Sequence, residues 1–283
     1  MKPILIHCHI YYANLWSELK DCIKNINQYP YDLYVTMVEK HNDIINDIKN
    51  TFPGSKIEIV ENRGYDLGPF VHVLNKVDLN DYDFIVKLHT KRDIPLGGQL
   101  NYFDMTGSKW RKYALEFISS TEHLNQCISA FHQNNKLGMI SNYRLIVHKE
   151  HDDFTAKKRA LALLRKLHID TVEYGFVAGT MFIVRASLFL PLQKLHLNIK
   201  NFEIPDTQHT SSLAHVLERF LGCLVLNQKY VIADVLTKRQ YSSKLCYFFR
   251  KFKRFIYRKK INKKGETIIK ICKIPINLKR IKK

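Results

Sequence analysis

Long apolar runs are missing from this 283-residue chain. No window holds the roughly 18 uninterrupted apolar residues that a membrane-spanning helix needs, so an integral helical anchor is not expected. Cysteine is scarce and unpatterned: Cys8, Cys22, Cys127, Cys223, Cys246 and Cys272 form no CxxC pair and keep no regular spacing. That argues against a structural zinc site or a disulfide framework and predicts reduced, mostly buried thiols. The N-terminus also lacks a secretory pattern, because the apolar stretch from Pro3 is broken by His7 and His9. A cytoplasmic chain is the expectation.

Acid is almost absent from one end. Residues 238–283 carry 18 Lys and Arg against a single acid, Glu266, whereas the first 237 residues hold 27 basic and 25 acidic side chains. The formal charge of +19 therefore belongs to an appendage rather than to a basic globular face. This predicts a nearly neutral domain over 1–237 and a basic tail over 238–283. The tail has its own pattern. Leu245, Phe248, Phe249, Phe252, Phe255 and Ile256 fall on one helical stripe among Lys244, Arg250, Lys251, Lys253, Arg254 and Arg258. The spacing predicts an amphipathic helix lying on an anionic membrane surface, where each cation adds about 1 kcal/mol. Nucleic acid and a partner membrane protein are the alternatives, and nucleic acid is the less favoured.

What is present in the first 237 residues is alternation. Apolar runs over 4–10, 31–38, 56–60 and 84–88 read as strands, and the stretches 15–26, 44–48 and 70–77 between them carry helical spacing. Strands alternating with helices predict an α/β fold with a mainly parallel sheet covered by helices on both faces. Further on, 110–118 and 124–131 read as helix, 139–141 and 176–185 as strand, and 212–221 as helix. Within 4–10, alternation sets His7 and His9 opposite Ile4, Ile6, Cys8 and Ile10, which makes them packing or nucleotide-pocket residues rather than a metal pair.

Ligands of such sheets bind beyond the carboxyl ends of the strands. Two segments stand there. Glu61-Asn62-Arg63-Gly64-Tyr65-Asp66-Leu67-Gly68-Pro69-Phe70 places two glycines around an acid between a strand and a helix. It reads either as a close approach of backbone to a ligand or as an ordinary tight connection. Lys87-Leu88-His89-Thr90-Lys91-Arg92-Asp93 ends the next strand with three cations and a histidine, which reads as a phosphate pocket or as a solvated charge run. Residues 93–108 read as a loop of active-site-lid type. On the later helix, His215 lies three and four residues from Glu218 and Arg219 and shares a face with them.

These segments, together with His7-Cys8-His9-Ile10-Tyr11-Tyr12, Ala178-Gly179-Thr180-Met181-Phe182 and Leu213-Ala214-His215-Val216-Leu217-Glu218-Arg219, resemble the rhamnan synthesis protein F family in order and spacing over nearly all of residues 1–230. The resemblance implies a GT-A-like, Rossmann-type glycosyltransferase that takes rhamnose from a nucleotide sugar, typically dTDP-rhamnose. Linkage and acceptor do not carry over from the resemblance; with a basic tail at an anionic membrane, the expected acceptor is a lipid-linked glycan of O-antigen, capsule or rhamnan, reached from the inner face of the plasma membrane. The resemblance implies nucleotide-sugar contacts at Tyr12, Asn62, Arg63, Gly64, Asp66, Gly68, Lys87, His89 and Lys91, and an acceptor pocket at Gly179 and Thr180. Where the family pattern has Asp-Gly before Leu-Ala-His, this chain has Thr210-Ser211, which leaves the base open between Glu218, with His215 beside it, and Asp206. Many GT-A enzymes hold a divalent metal through Asp-x-Asp after the fourth strand. Lys-Leu-His-Thr-Lys stands there instead, so no cofactor beyond the donor is expected and cations would replace the metal, with Asp66 and Asp93 the nearby acids that could still bind one. A non-catalytic nucleotide-sugar-binding or scaffold protein of the same pathway is the alternative.

Overall fold

The computed structural model describes residues 1–92, 107–148, 154–205 and 211–237, and the backbone of three strands within 257–278. The chain divides into two compact units, 1–91 with 112–239 and 92–111 with 240–283. In chain order the elements are β1 (Ile4–Ile10), α1 (Trp16–Lys24), β2 (Tyr31–Met37), α2 (Asn42–Thr51), β3 (Lys56–Ile59), α3 (Leu67–Leu74), β4 (Phe84–His89), α4 (Gly107–Ala114), α5 (Thr121–Gln133) and β5 (Leu137–Ile140). They continue with β6 (Ile146–Val147), α6 (Phe154–Lys166), β7 (Phe176–Val177), β8 (Phe182–Arg185), α7 (Leu190–Gln193), α8 (Leu213–Asn227) and β9 (Val231–Ala233). Short strands β10 (Tyr257–Ile261), β11 (Thr267–Ile271) and β12 (Ile274–Leu278) follow.

The first unit is built on a seven-stranded sheet of order β3-β2-β1-β4-β8-β5-β9. Strands β1 to β4 run parallel, β8 runs antiparallel to β4 and to β5, and β9 is parallel to β5. All seven residues of β1 are buried, so both faces of the sheet centre are covered, as its continuous apolar sequence predicts. This is the mainly parallel α/β architecture expected from the sequence. Phe70 of α3 meets Phe182 and Phe189 edge-on, with ring centroids 6.5 and 6.2 Å apart, and closes the core beneath the sheet's carboxyl edge. Helix α8 lies so close to the start of β7 that a Cβ on Gly222 would stand 2.4 Å from the carbonyl oxygen of Gly175.

Two features of this order position the site. From β1 the chain winds outward through β2 and β3, then returns to place β4 on the other side of β1. The strand order switches between β1 and β4, the place where sheets of this class receive ligands at the carboxyl ends, and His9 pairs there in register with His89. Because β8 is antiparallel, the turn leading into it reaches the same edge, and Phe182 pairs with Lys87. The run 176–185, which reads as one strand by apolar content, is therefore two short strands broken at Gly179 and Thr180, both in the left-handed region with φ of 79° and 54°. A helix that the sequence reading did not place, α6, packs against α8.

The expected helical stripe of the tail, residues 245–256, lies outside the described residues. Residues 257–261 beyond it are a strand, and β10, β11 and β12 form a three-stranded antiparallel sheet. The physical reason is composition: the segment is rich in β-branched isoleucine and alternates with period two. The expected lid falls mostly at 93–106, also outside the described residues. Among the described residues, no helix is long and apolar enough to cross a membrane.

Candidate active site

At the carboxyl ends of β1 and β4 three segments meet on one carboxylate. The Nζ of Lys87 donates to Oδ2 of Asp66, and the Thr180 hydroxyl donates to the same oxygen at 2.6 Å while accepting from Lys87 at 2.9 Å. The Lys87 side chain is fully buried and that of Asp66 is 19% exposed. Nδ1 of His89 stands 3.5 Å from the carboxylate. Lys87 also lies 5.4 Å from the Phe70 ring centroid, so an apolar wall backs the ion pair. Burial opposes ionisation of Asp66, but the facing His89 and Lys87 and the hydrogen bonds from Lys87 and Thr180 outweigh it and hold its pKa far below the carboxylate range. Burial lowers the pKa of Lys87, and Asp66 works against that shift.

Around this pair stand three buried imidazoles. His7 Nε2 and His9 Nδ1 both meet the single hydroxyl of Thr36, at 2.9 and 3.0 Å. One hydroxyl donates to only one of them, so the other ring must present an N–H to it, and the two tautomers are coupled. Burial holds His7 far below its ordinary pKa, His9 down to about 4 and His89 down to about 3. All three are neutral at pH 7. Among the described residues, no group of three His, Cys, Asp or Glu side chains is arranged to hold a metal ion.

The second half of the site lies on α8. Glu218 Oε1 accepts from the backbone N–H of Gly179 at 2.6 Å, and Oε2 pairs with Arg219 at 2.9 Å. The strained turn at Gly179 and Thr180 is thus clamped from both sides, by Glu218 through backbone and by Asp66 through the Thr180 hydroxyl. His215 shares a 2.7 Å hydrogen bond with Ser212, and its ring packs perpendicular to Tyr65 at 5.7 Å. The backbone N–H groups of Tyr11 and Tyr12 both donate to the Thr90 hydroxyl at 2.9 Å, tying the loop after β1 to the end of β4.

Several residues expected to contact a nucleotide sugar have protein partners. Arg63 donates to Glu61 and to the Phe202 carbonyl. A Cβ on Gly64 would strike the Phe202 ring at 2.3 Å, and one on Gly68 would stand 2.1 Å from the Arg63 carbonyl oxygen. Both glycines are thus required by the chain's own close packing. Asn62 and Lys91 are half-buried at the same edge. Of the three cations and the histidine at the end of β4, Lys87 is neutralised in place and His89 is neutral, while Lys91 is half-buried and Arg92 exposed beyond them. Asp206 lies outside the described residues. Thr36, Thr90, Tyr65 and Ser212 were not singled out from the sequence, because hydroxyl and aromatic residues of these kinds carry no spacing signal.

Two outcomes are expected. Removing one partner of the pair strands the other in a buried site, so Asp66→Ala should cost about 3–5 kcal/mol in urea unfolding, and the double variant Asp66→Ala with Lys87→Met should cost less than the sum of the two single changes. The histidines set the pH response. Their pKa values are depressed in the folded state, so their contribution is complete above the unfolded value near 6.5 and is lost as pH falls toward 4. Each adds at most about 1.4 kcal/mol per pH unit over that window. Urea midpoints should fall between pH 6.5 and 4, and His89→Asn should flatten the slope.

Similarity to known proteins is distant in identity. The uncharacterized protein WxcX from two strains of Xanthomonas campestris pv. campestris is 24% identical over 229 residues, covering 80% of this chain and 32% of that protein. The chain therefore spans about a third of the length of the curated relatives it matches. Among solved structures, Staphylococcus aureus TarS 1–349 is 12% identical, with 82% of this chain and 58% of that one covered at a TM-score of 0.40. The 4-diphosphocytidyl-2C-methyl-D-erythritol synthase of Anaerococcus prevotii is 10% identical, with 88% and 96% covered at a TM-score of 0.38. The model of the rhamnan synthesis protein F family matches residues 1–230, the whole of the seven-stranded unit apart from its last residues, and the chain belongs to that family.

Proposed function

We propose that the chain is a glycosyltransferase that moves rhamnose from a nucleotide donor, dTDP-rhamnose, to a lipid-linked glycan in the synthesis of a bacterial cell-surface polysaccharide such as O-antigen, capsule or rhamnan. The observation that carries this reading is the polar cluster of Asp66, Lys87, Thr180 and Glu218 at the topological switch of an α/β sheet, in a chain of a family named for rhamnan synthesis.

The chemistry follows from the charges. Transfer needs an acceptor hydroxyl deprotonated, a positively charged sugar ring accommodated and a departing nucleoside diphosphate stabilised. With Lys87 and Asp66 neutralising each other, Lys91 at the strand's end is the cation offered to the diphosphate, and no metal is required. Asp66, held ionised by Lys87 and Thr180, keeps its position at the carboxyl edge across the neutral pH range. Glu218 is the base. It must release the Arg219 contact at Oε2 while Oε1 keeps the Gly179 turn in place. The tail, with its 18 cations, would hold the enzyme on the cytoplasmic surface of an anionic membrane, where a lipid-linked acceptor resides.

Glu218→Gln is a clean test, since a glutamine oxygen still accepts from Gly179 while the basic carboxylate is gone. In an assay with dTDP-rhamnose and lipid-linked glycan, transfer should fall by about 10²-fold or more with the donor Kd unchanged, in the presence of excess chelator as well as in its absence. A fully active variant moves the role to Asp206, and activity lost to chelator but restored by magnesium or manganese restores a metal to the mechanism.

A further inference from the structure

Five non-glycine residues among those described take positive φ. His168, His196 and Lys229 follow the last turns of α6, α7 and α8, an ordinary place for left-handed backbone. Thr180 is held by the network on Asp66. Tyr65, at φ 55°, neither follows a helix nor is covered: it is 37% exposed, at the carboxyl edge of the sheet beside Asp66. A tyrosine is a poor choice for this conformation, which asparagine or glycine adopts at lower cost, and strain at such a position points to a role that the fold alone does not require.

The surroundings fix that ring. Gly64 donates to the Glu203 carbonyl at 3.0 Å, and Leu67 and Gly68 both donate back to the Gly64 carbonyl at 3.0 and 3.1 Å. The turn bearing Tyr65 is thereby closed on itself. His215 braces the ring, the two planes meeting at 72°. A half-exposed aromatic one residue from an ionised carboxylate, at the edge where the donor would bind, suits a carbohydrate: C–H groups of a pyranose lie on the ring, and hydroxyls donate to an acid. A nucleobase stacks on an aromatic ring as well and donates N–H groups to carboxylates, so the comparison of dTDP with dTDP-rhamnose separates the two.

We infer that Tyr65 is the sugar-stacking residue of this site, packing against the pyranose of the transferred sugar. This rests on the glycosyltransferase reading and goes beyond it by assigning the contact. The test compares dTDP-rhamnose with dTDP by calorimetric titration of the full chain, for the wild type, Tyr65→Phe and Tyr65→Asn. Tyr65→Asn should weaken dTDP-rhamnose about tenfold and leave dTDP unchanged, Tyr65→Phe should bind both as the wild type does, and the Tm of Tyr65→Asn should stay within about 3 °C. Equal loss for both ligands would make Tyr65 a base-stacking residue, a larger fall in Tm would make it a packing residue, and unchanged binding would give it no role; each overturns the inference alone. A wild type that binds neither ligand contradicts the donor assignment itself, and the inference with it.

Discussion

The ion pair between Lys87 and Asp66 joins three parts of the chain that are remote in sequence: the loop after β3, the end of β4 and the turn into β8. Thr180 completes it by donating to the carboxylate and accepting from the ammonium. A buried charge pair stabilises a fold less than it specifies one, because the attraction is largely offset by desolvation and the penalty falls on arrangements that separate the partners. Here the specified arrangement is the carboxyl edge of the sheet. With Asp66 fixed, the Gly64–Gly68 turn, the left-handed Thr180 and the start of α3 have one mutual geometry.

The same pair sets the electrostatics of the crevice. Lysine and aspartate cancel, the three buried imidazoles are neutral, and Glu218 on α8 is paired with Arg219. Glu218 serves twice, since one oxygen holds the Gly179 amide and the other faces Arg219. A donor with a negative diphosphate and a sugar that turns positive in the transition state would find the two signs separated across such a site.

Much of the first unit was legible because its strands are continuous apolar runs, and strand ends locate the crevice in any sheet of this class. The order β1, β2, β3, β4 and the placement of the segments 61–70 and 87–92 at one edge followed from alternation alone. The pairing of Lys87 with Asp66 did not, since nothing in a strand's sequence says whether a terminal lysine reaches solvent or folds back on a neighbour. Gly64 and Gly68 likewise read as openings for a ligand, whereas Phe202 and the Arg63 carbonyl, contacts set by tertiary packing, fill the space beside them. The break in 176–185 was hidden because apolar content does not report φ. In the tail, cations at short spacing fit helical and strand periods alike, and over 257–278 the isoleucines decided for the strand.

The central claim is that this crevice receives a nucleotide-activated sugar. A thermal-shift panel of dTDP, UDP and GDP with their sugar conjugates, run on the wild type and on Asp66→Asn, tests it most directly. The account predicts a rise in Tm with dTDP-rhamnose for the wild type and a diminished rise for the variant. Silence of the wild type against every nucleotide and nucleotide sugar would contradict it.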